Sequence, residues 1–166
     1  MSKIQRPIIE NSIYYISNST HNNERLFLNP KFAVIIMDQM KHYSNKYDCR
    51  LHAFVIMPDH YHMLIDITHM NISKILHSIH SYSAHLMNKE LGENRQIWSR
   101  NAWDEIIRNE DMYWQKLAYI LLNPWRKGLV KDPLDIYLFS NIGSFITDKG
   151  ESFLKELFCK YARYGE

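Results

Sequence analysis

Residues 50–67 read RLHAFVIMPDHYHMLIDI, and this stretch decides the fold. Residues 50–57 read as one strand, Pro58-Asp59 as a break, and residues 60–67 as a second strand. So short a break makes the two runs a hairpin, hence antiparallel neighbours. Upstream, residues 12–17, with Ile13, Tyr14, Tyr15 and Ile16, predict another strand, and the polar residues 18–23 a turn. Asn29-Pro30 reads as a helix start, with Asn as N-cap and Pro in the first helical position. Phe32, Ile36, Met40, Tyr43 and Tyr47 then recur at helical spacing, so a helix is expected over residues 30–47.

Downstream, Ile72, Ile75, Leu76, Ile79, Leu86 and Met87 mark a second helix over about residues 71–91, with Gly92 near its C-terminal end. Residues 103–108 are short and β-like. Residues 111–122 predict a third helix with an acidic start, which Asn123-Pro124 is expected to stop. The tail after Val130 shows little pattern beyond a last helix over residues 151–161. The order β-α-β-β-α-β followed by helices predicts an α+β fold of the ferredoxin-like, split βαβ kind. It has an antiparallel sheet with helices on one face, plus a C-terminal helix. One domain is expected over residues 1–166, with its core at about 12–130 and an extension at 131–166.

The bulk composition permits this fold and narrows the function classes. Hydrophobic residues make up 46% and charged residues 23%, a folded rather than a disordered balance. The two cysteines, Cys49 and Cys159, are far apart and fit no metal or redox spacing, so reduced thiols in a cytoplasmic protein are expected. Lys3, Arg6 and Glu10 interrupt the N-terminal segment, which argues against a signal peptide. No apolar run is long enough to span a bilayer. A net charge of +2 permits nucleic-acid binding without demanding it.

Two motifs carry chemistry. Alternate residues of a strand share a face, so His60 and His62 project together while Tyr61, Met63 and Ile65 project the other way. Two imidazoles side by side on a rigid strand form half of a divalent-metal site. Two ordinary hydrogen-bonded histidines fit the same spacing. Asp59 is expected to serve the turn, and Asp66 either to support a metal or to be solvated. The second motif is residues 117–130, LAYILLNPWRKGLV. Tyr119 and Asn123 are one helical turn apart and lie on one side. A tyrosine is a covalent nucleophile where its target is polarised, and an asparagine oxygen is a metal ligand. On these residues alone, a half-buried core tyrosine and a helix-capping asparagine are the favoured reading. His77, His80 and His85 fall on the second helix; His77 and His80, three apart, have a spacing that can bind metal, but a DNA-facing or solvated surface is expected. Trp98, Trp103 and Trp125 are either base-stacking surfaces or core, with at least one in the core.

Together the motifs resemble a known family. Residues 57–62, MPDHYH, resemble the MPNHxH signature of single-tyrosine HUH transposases, and residues 119–130 resemble their YIxxNPxRAGLV signature. The branch most similar is the REP-associated tyrosine transposases. Trp98 and the run from Trp103 to Arg108 also resemble the segment between the signatures, so the likeness spans about residues 14–130. It implies that His60 and His62 are metal ligands, that Asn123 is a third, amide ligand, and that Tyr119, on the C-terminal helix, is the nucleophile. It implies Mg²⁺ or Mn²⁺ as cofactor. The implied substrate is single-stranded DNA bearing a hairpin, REP-like or an insertion-sequence end. The implied reaction cuts and rejoins that strand through a 5′-phosphotyrosine, in a monomer or homodimer. Arg100, Arg108, Lys116, Arg126 and Lys127 are the basic candidates for phosphate contact. Asp59 replaces the usual Asn, Tyr61 a plain hydrophobe and Lys127 an Ala; none of these removes an expected catalytic group. Three other readings stand beside this one: a domesticated, non-catalytic hairpin-binding protein, a metal-dependent nuclease that uses water, and a ferredoxin-like interaction module.

Overall fold

The strands Ser12–Ser19 (β1), Arg50–Ile56 (β2), His60–Ile67 (β3) and Trp103–Ile106 (β4) form one sheet in the order β2-β3-β1-β4. Every neighbouring pair is antiparallel. The computed structural model describes residues 12–68, 71–100 and 102–163, so the reading of the N-terminal segment lies outside the described residues. The Met57 N–H donates to the His60 carbonyl at 2.8 Å, which closes the Pro58-Asp59 turn and makes β2 and β3 the expected hairpin.

Three helices start on the same device. Asn29 before Pro30–Lys46 (α1), Asn71 before Ile72–Leu91 (α2) and Asn109 before Glu110–Arg126 (α3) each accept a backbone N–H of the first turn through the side chain. Such a cap satisfies a donor that the helix itself leaves orphaned. Gly92 closes α2 with a φ of +67°, a left-handed conformation that glycine adopts without a Cβ penalty.

Strand alternation divides the interior into two cores. On one face α1 and α2 pack Phe32, Ile36, Ile75 and Ile79 against Tyr14, Ile16, Tyr61 and Met63. This is the ferredoxin-like layer the sequence predicts. On the other face α3 lays Leu117 and Leu121 over Tyr15, Ala53, Val55 and Leu64. Two further helices, Ile142–Lys149 (α4) and Glu151–Tyr161 (α5), complete that second core through Ile142, Leu154 and Phe158. The tail also guards the outer edge of β2. Phe139 accepts from the Ile56 N–H at 2.9 Å, and the Asn141 side chain accepts from the Phe54 N–H at 3.0 Å. Among the described residues no helix is long and apolar enough to cross a membrane.

The third helix departs from expectation. It does not stop at Asn123-Pro124 but runs on to Arg126. Pro124 loses the bond its missing N–H would have made to Ile120 and crowds that carbonyl, but its side chain is buried, and packing offsets part of the cost. The true stop is Gly128, at φ +69°. There the Leu129 N–H donates to the Pro124 carbonyl and the Gly128 N–H to the Trp125 carbonyl, the paired bonds of a Schellman cap.

His80 is another correction. It does not face solvent or DNA from α2. Its Nε2 lies 2.7 Å from the Tyr61 hydroxyl, and its ring packs 4.7 Å from Trp98, which is the core tryptophan. Burial pushes its pKa down to about 3, with His77 adding to the shift. The unfolded chain titrates such a histidine near 6.5 and therefore binds more protons at intermediate pH. The stability this neutral ring provides is present above about pH 6.5 and is lost as pH falls toward the folded value. Urea unfolding at pH 7.5 and pH 5 is expected to show a loss of about 2 kcal/mol from this group. A His80→Gln chain should show a correspondingly flatter pH dependence.

Candidate active site

The site lies on the face of the sheet beneath α3. His60 and His62 project from β3 as its alternation demands, with ring centroids 4.8 Å apart. His60 is half-buried; His62 is buried. Asp59 Oδ1 accepts from His60 Nδ1 at 2.5 Å, so Asp59 does more than shape the turn. The Tyr15 hydroxyl is hydrogen-bonded to His62 Nδ1 at 2.8 Å. The other nitrogen of that ring, Nε2, is buried without a partner. Burial is the main reason the His62 pKa falls to about 3, and the charges of His60, Lys116 and Lys127 add to it. The ring is thus neutral at physiological pH and has a lone pair to offer.

From above, α3 brings Tyr119 down onto this pair. Its ring meets His62 edge to face at a centroid distance of 5.2 Å and Tyr15 at 6.2 Å. The Tyr119 ring and the His62 imidazole therefore meet within one chain, with His60 beside His62. Asn123, one turn further along, is buried, and its amide donates to the Tyr119 carbonyl at 3.5 Å. Among the described residues no group of three or more His, Cys, Asp or Glu side chains converges as a metal centre. The histidines therefore stand as a pair.

The basic candidates separate by position. Lys116 lies 4.4 Å over the Tyr15 ring and pairs with Glu105 at 2.8 Å. The Arg126 guanidinium sits 5.7 Å over the Tyr119 ring and donates to the Ala162 carbonyl. Lys127 is close enough for its charge to act on His62. Lys116 and Arg126 share α3 with Tyr119, and Lys127 is the residue that caps it. Arg100 follows Ser99, whose N–H donates to Ser19, the register partner of His60, so it stands at the rim of the histidine end. Arg108 stands at the opposite end of β1, where Ile107 bonds to Ile13. That is about 13 Å along the strand from Ser17, which pairs with His62. Asp66 also lies at that far end, opposite Ile13, and does not join the histidines.

Two features of the site escape a reading of the motifs. Tyr15 is one: it looks like an ordinary strand residue, and only the β1–β3 register, which pairs it with Leu64, sets it diagonally beside His62. The place of Trp103, a base-stacking candidate in the sequence, is the other. That residue pairs with Ser17, which pairs with His62, so the three lie in one row on one face of the sheet. Trp103 is 66% exposed, and Trp125 on α3 is 41% exposed.

Fold and site together define an α+β protein whose sheet carries a histidine pair beneath a tyrosine helix. Its family follows from comparison: residues 10–106 match the model of the IS200-like transposases, more than half of the chain, and the chain belongs to that family. The matched span includes both histidines and ends before α3. Among solved structures, the chain is similar to a REP-associated tyrosine transposase bound to a REP hairpin. The identity is 21% and the TM-score 0.76, over 89% of this chain and 87% of that one. It is also similar to a transposase from Deinococcus radiodurans R1, at 18% identity and a TM-score of 0.52, over 72% of this chain and 95% of that one. Both likenesses concern the fold. No curated protein sequence matches the chain.

Proposed function

We propose that this transposase-family chain is a metal-dependent endonuclease and strand transferase. Its substrate is single-stranded DNA with a hairpin, and Tyr119 is the nucleophile. The observation that carries the reading is the approach of the Tyr119 ring to His62, at 5.2 Å between centroids. Attack by the Tyr119 oxygen on phosphorus forms the tyrosyl P–O bond and breaks the bond to the 3′-oxygen. The phenolic proton leaves to solvent and the departing oxygen takes one up. The 5′-phosphate stays on the tyrosine, and a 3′-hydroxyl is freed. A second 3′-hydroxyl reverses the step and joins strands without an external energy source.

The donor set fits a divalent cation. An unpartnered buried nitrogen is costly unless something satisfies it, and His62 Nε2 is such an atom. His60, His62 and Asn123 are the residues that would hold Mg²⁺ or Mn²⁺. When bound, the ion supplies Lewis-acid polarisation of the target phosphate. Lys116 and Arg126 on the tyrosine helix and Lys127 at its cap add fixed positive charge, and Arg100 adds it at the rim.

Trp103 extends the site toward the strand. It lies about 10 Å from His62 across one intervening strand, within reach of a neighbouring nucleotide. A Trp103→Ala chain is expected to bind single-stranded DNA about 5- to 100-fold more weakly, the range that loss of one stacked base produces. Its melting temperature should hardly change, because the side chain is largely exposed.

The proposal is tested by incubating the chain with hairpin-bearing single-stranded oligonucleotides and Mn²⁺. A denaturing gel should show a covalent protein–DNA adduct that a chelator prevents. Hairpin binding without adduct or cleavage would favour a domesticated, non-catalytic hairpin-binding protein. Cleavage without an adduct would favour hydrolysis by water.

A further inference from the structure

Both histidines are held at the same ring position. Asp59 holds His60 at Nδ1 and Tyr15 holds His62 at Nδ1, at 2.5 and 2.8 Å. A neutral imidazole carries one hydrogen, so whichever nitrogen donates leaves the other with a lone pair. For His60 the carboxylate decides, since it only accepts: the hydrogen is on Nδ1. For His62 the partner is a hydroxyl, which takes either role, and the surroundings decide instead. Nε2 of His62 is buried and unpaired. A buried N–H without an acceptor is rarer in proteins than an under-used acceptor. The form with hydrogen on Nδ1 donates to the Tyr15 oxygen and leaves only a lone pair on Nε2. The Tyr15 hydrogen is then available to the Tyr119 hydroxyl, with which the Tyr15 side chain is also hydrogen-bonded.

We infer that Tyr15 is a positioning residue that fixes His62 in its Nδ1–H form and holds the ring, so that Nε2 is presented as a preformed ligand nitrogen. Tyr15 thereby does for His62 what Asp59 does for His60. A partner of this kind sets the tautomer and the angle of a metal-binding imidazole. The inference rests on the reading of His60 and His62 as ligands. Tyr15 reaches this place from another strand, 47 residues away in sequence. Its ring fills part of the second core and lies under Lys116, so phenylalanine can occupy the same space.

The test begins with the metal-free chain, labelled with ¹⁵N in its histidines. Long-range proton–nitrogen spectra of the unmodified chain should report His62 with its hydrogen on Nδ1. Tyr15→Phe should move His62 wholly or partly to the Nε2–H form, a change that loss of packing alone does not produce. Calorimetric titration with Mn²⁺ should show Tyr15→Phe binding about 10- to 100-fold more weakly. His62→Ala should lose still more. The inference is overturned if the unmodified chain holds His62 as Nε2–H. It is also overturned if Tyr15→Phe keeps both tautomer and Mn²⁺ affinity while His62→Ala loses affinity. If His62→Ala binds Mn²⁺ like the unmodified chain, the ligand assignment itself is wrong and the inference falls with it.

Discussion

A Tyr119→Phe chain is expected to fold, to bind hairpin-bearing single-stranded DNA, and to form no covalent adduct. Strand cleavage should fall by about 10³-fold or more, as for other enzymes stripped of a nucleophile. The substitution is mild for the fold. Tyr119 is half-buried, and the phenyl ring that remains keeps its contacts with His62, Tyr15 and Arg126. The lost hydroxyl should cost no more than about 1 kcal/mol of stability. Binding and thermal unfolding therefore serve as internal controls, and the effect should concentrate in the chemical step. Cleavage at the unmodified rate by Tyr119→Phe would remove the tyrosine from the mechanism.

The second large effect concerns the histidine pair. His62→Ala is expected to reduce cleavage by about 10²-fold or more, the scale of several kcal/mol that a metal contributes at a phosphate. His60→Ala should follow the same direction but respond differently to added Mn²⁺. His60 is partly exposed, so water can replace its imidazole, and excess Mn²⁺ should recover part of the activity. His62 is buried, and its loss opens a gap under α3 that water fills poorly. Excess Mn²⁺ should recover little there. Cleavage rates measured against Mn²⁺ concentration separate the two cases. Activity of either variant equal to that of the unmodified chain, with the same Mn²⁺ dependence, would mean that the pair holds no metal.

Much of this was legible in the sequence because it depends on local periodicity. The Pro58-Asp59 break set the β2–β3 hairpin, and the two-residue period placed His60 and His62 on one face. The one-turn spacing placed Tyr119 and Asn123 together on α3. What could not be read depends on contacts between distant segments. Tyr15 joins His62 only through the β1–β3 register, and Trp103 shares its row only because Ser17 lies between them. His80 is set apart from a surface histidine by α2, which turns it onto Tyr61 and Trp98, partners from β3 and from the segment before β4. The helix passes Pro124 for a related reason. Burial of Asn123 and Pro124 offsets the local penalty, and the helix runs on to a glycine that can take the left-handed cap. The tail after Val130 carries little pattern because α4 is short, and its approach to β2 is made by single residues such as Phe139 and Asn141.

The central claim is that the Tyr119 phenol, held against the histidine pair, becomes joined to DNA. Mass spectrometry of peptides from the chain after reaction with a hairpin-bearing single strand and Mn²⁺ tests it most directly. The account predicts a nucleotide linked through its 5′-phosphate to the peptide that contains Tyr119. An adduct on another residue, such as Tyr15 or Tyr113, or cleaved DNA with every tyrosine unmodified, would contradict it.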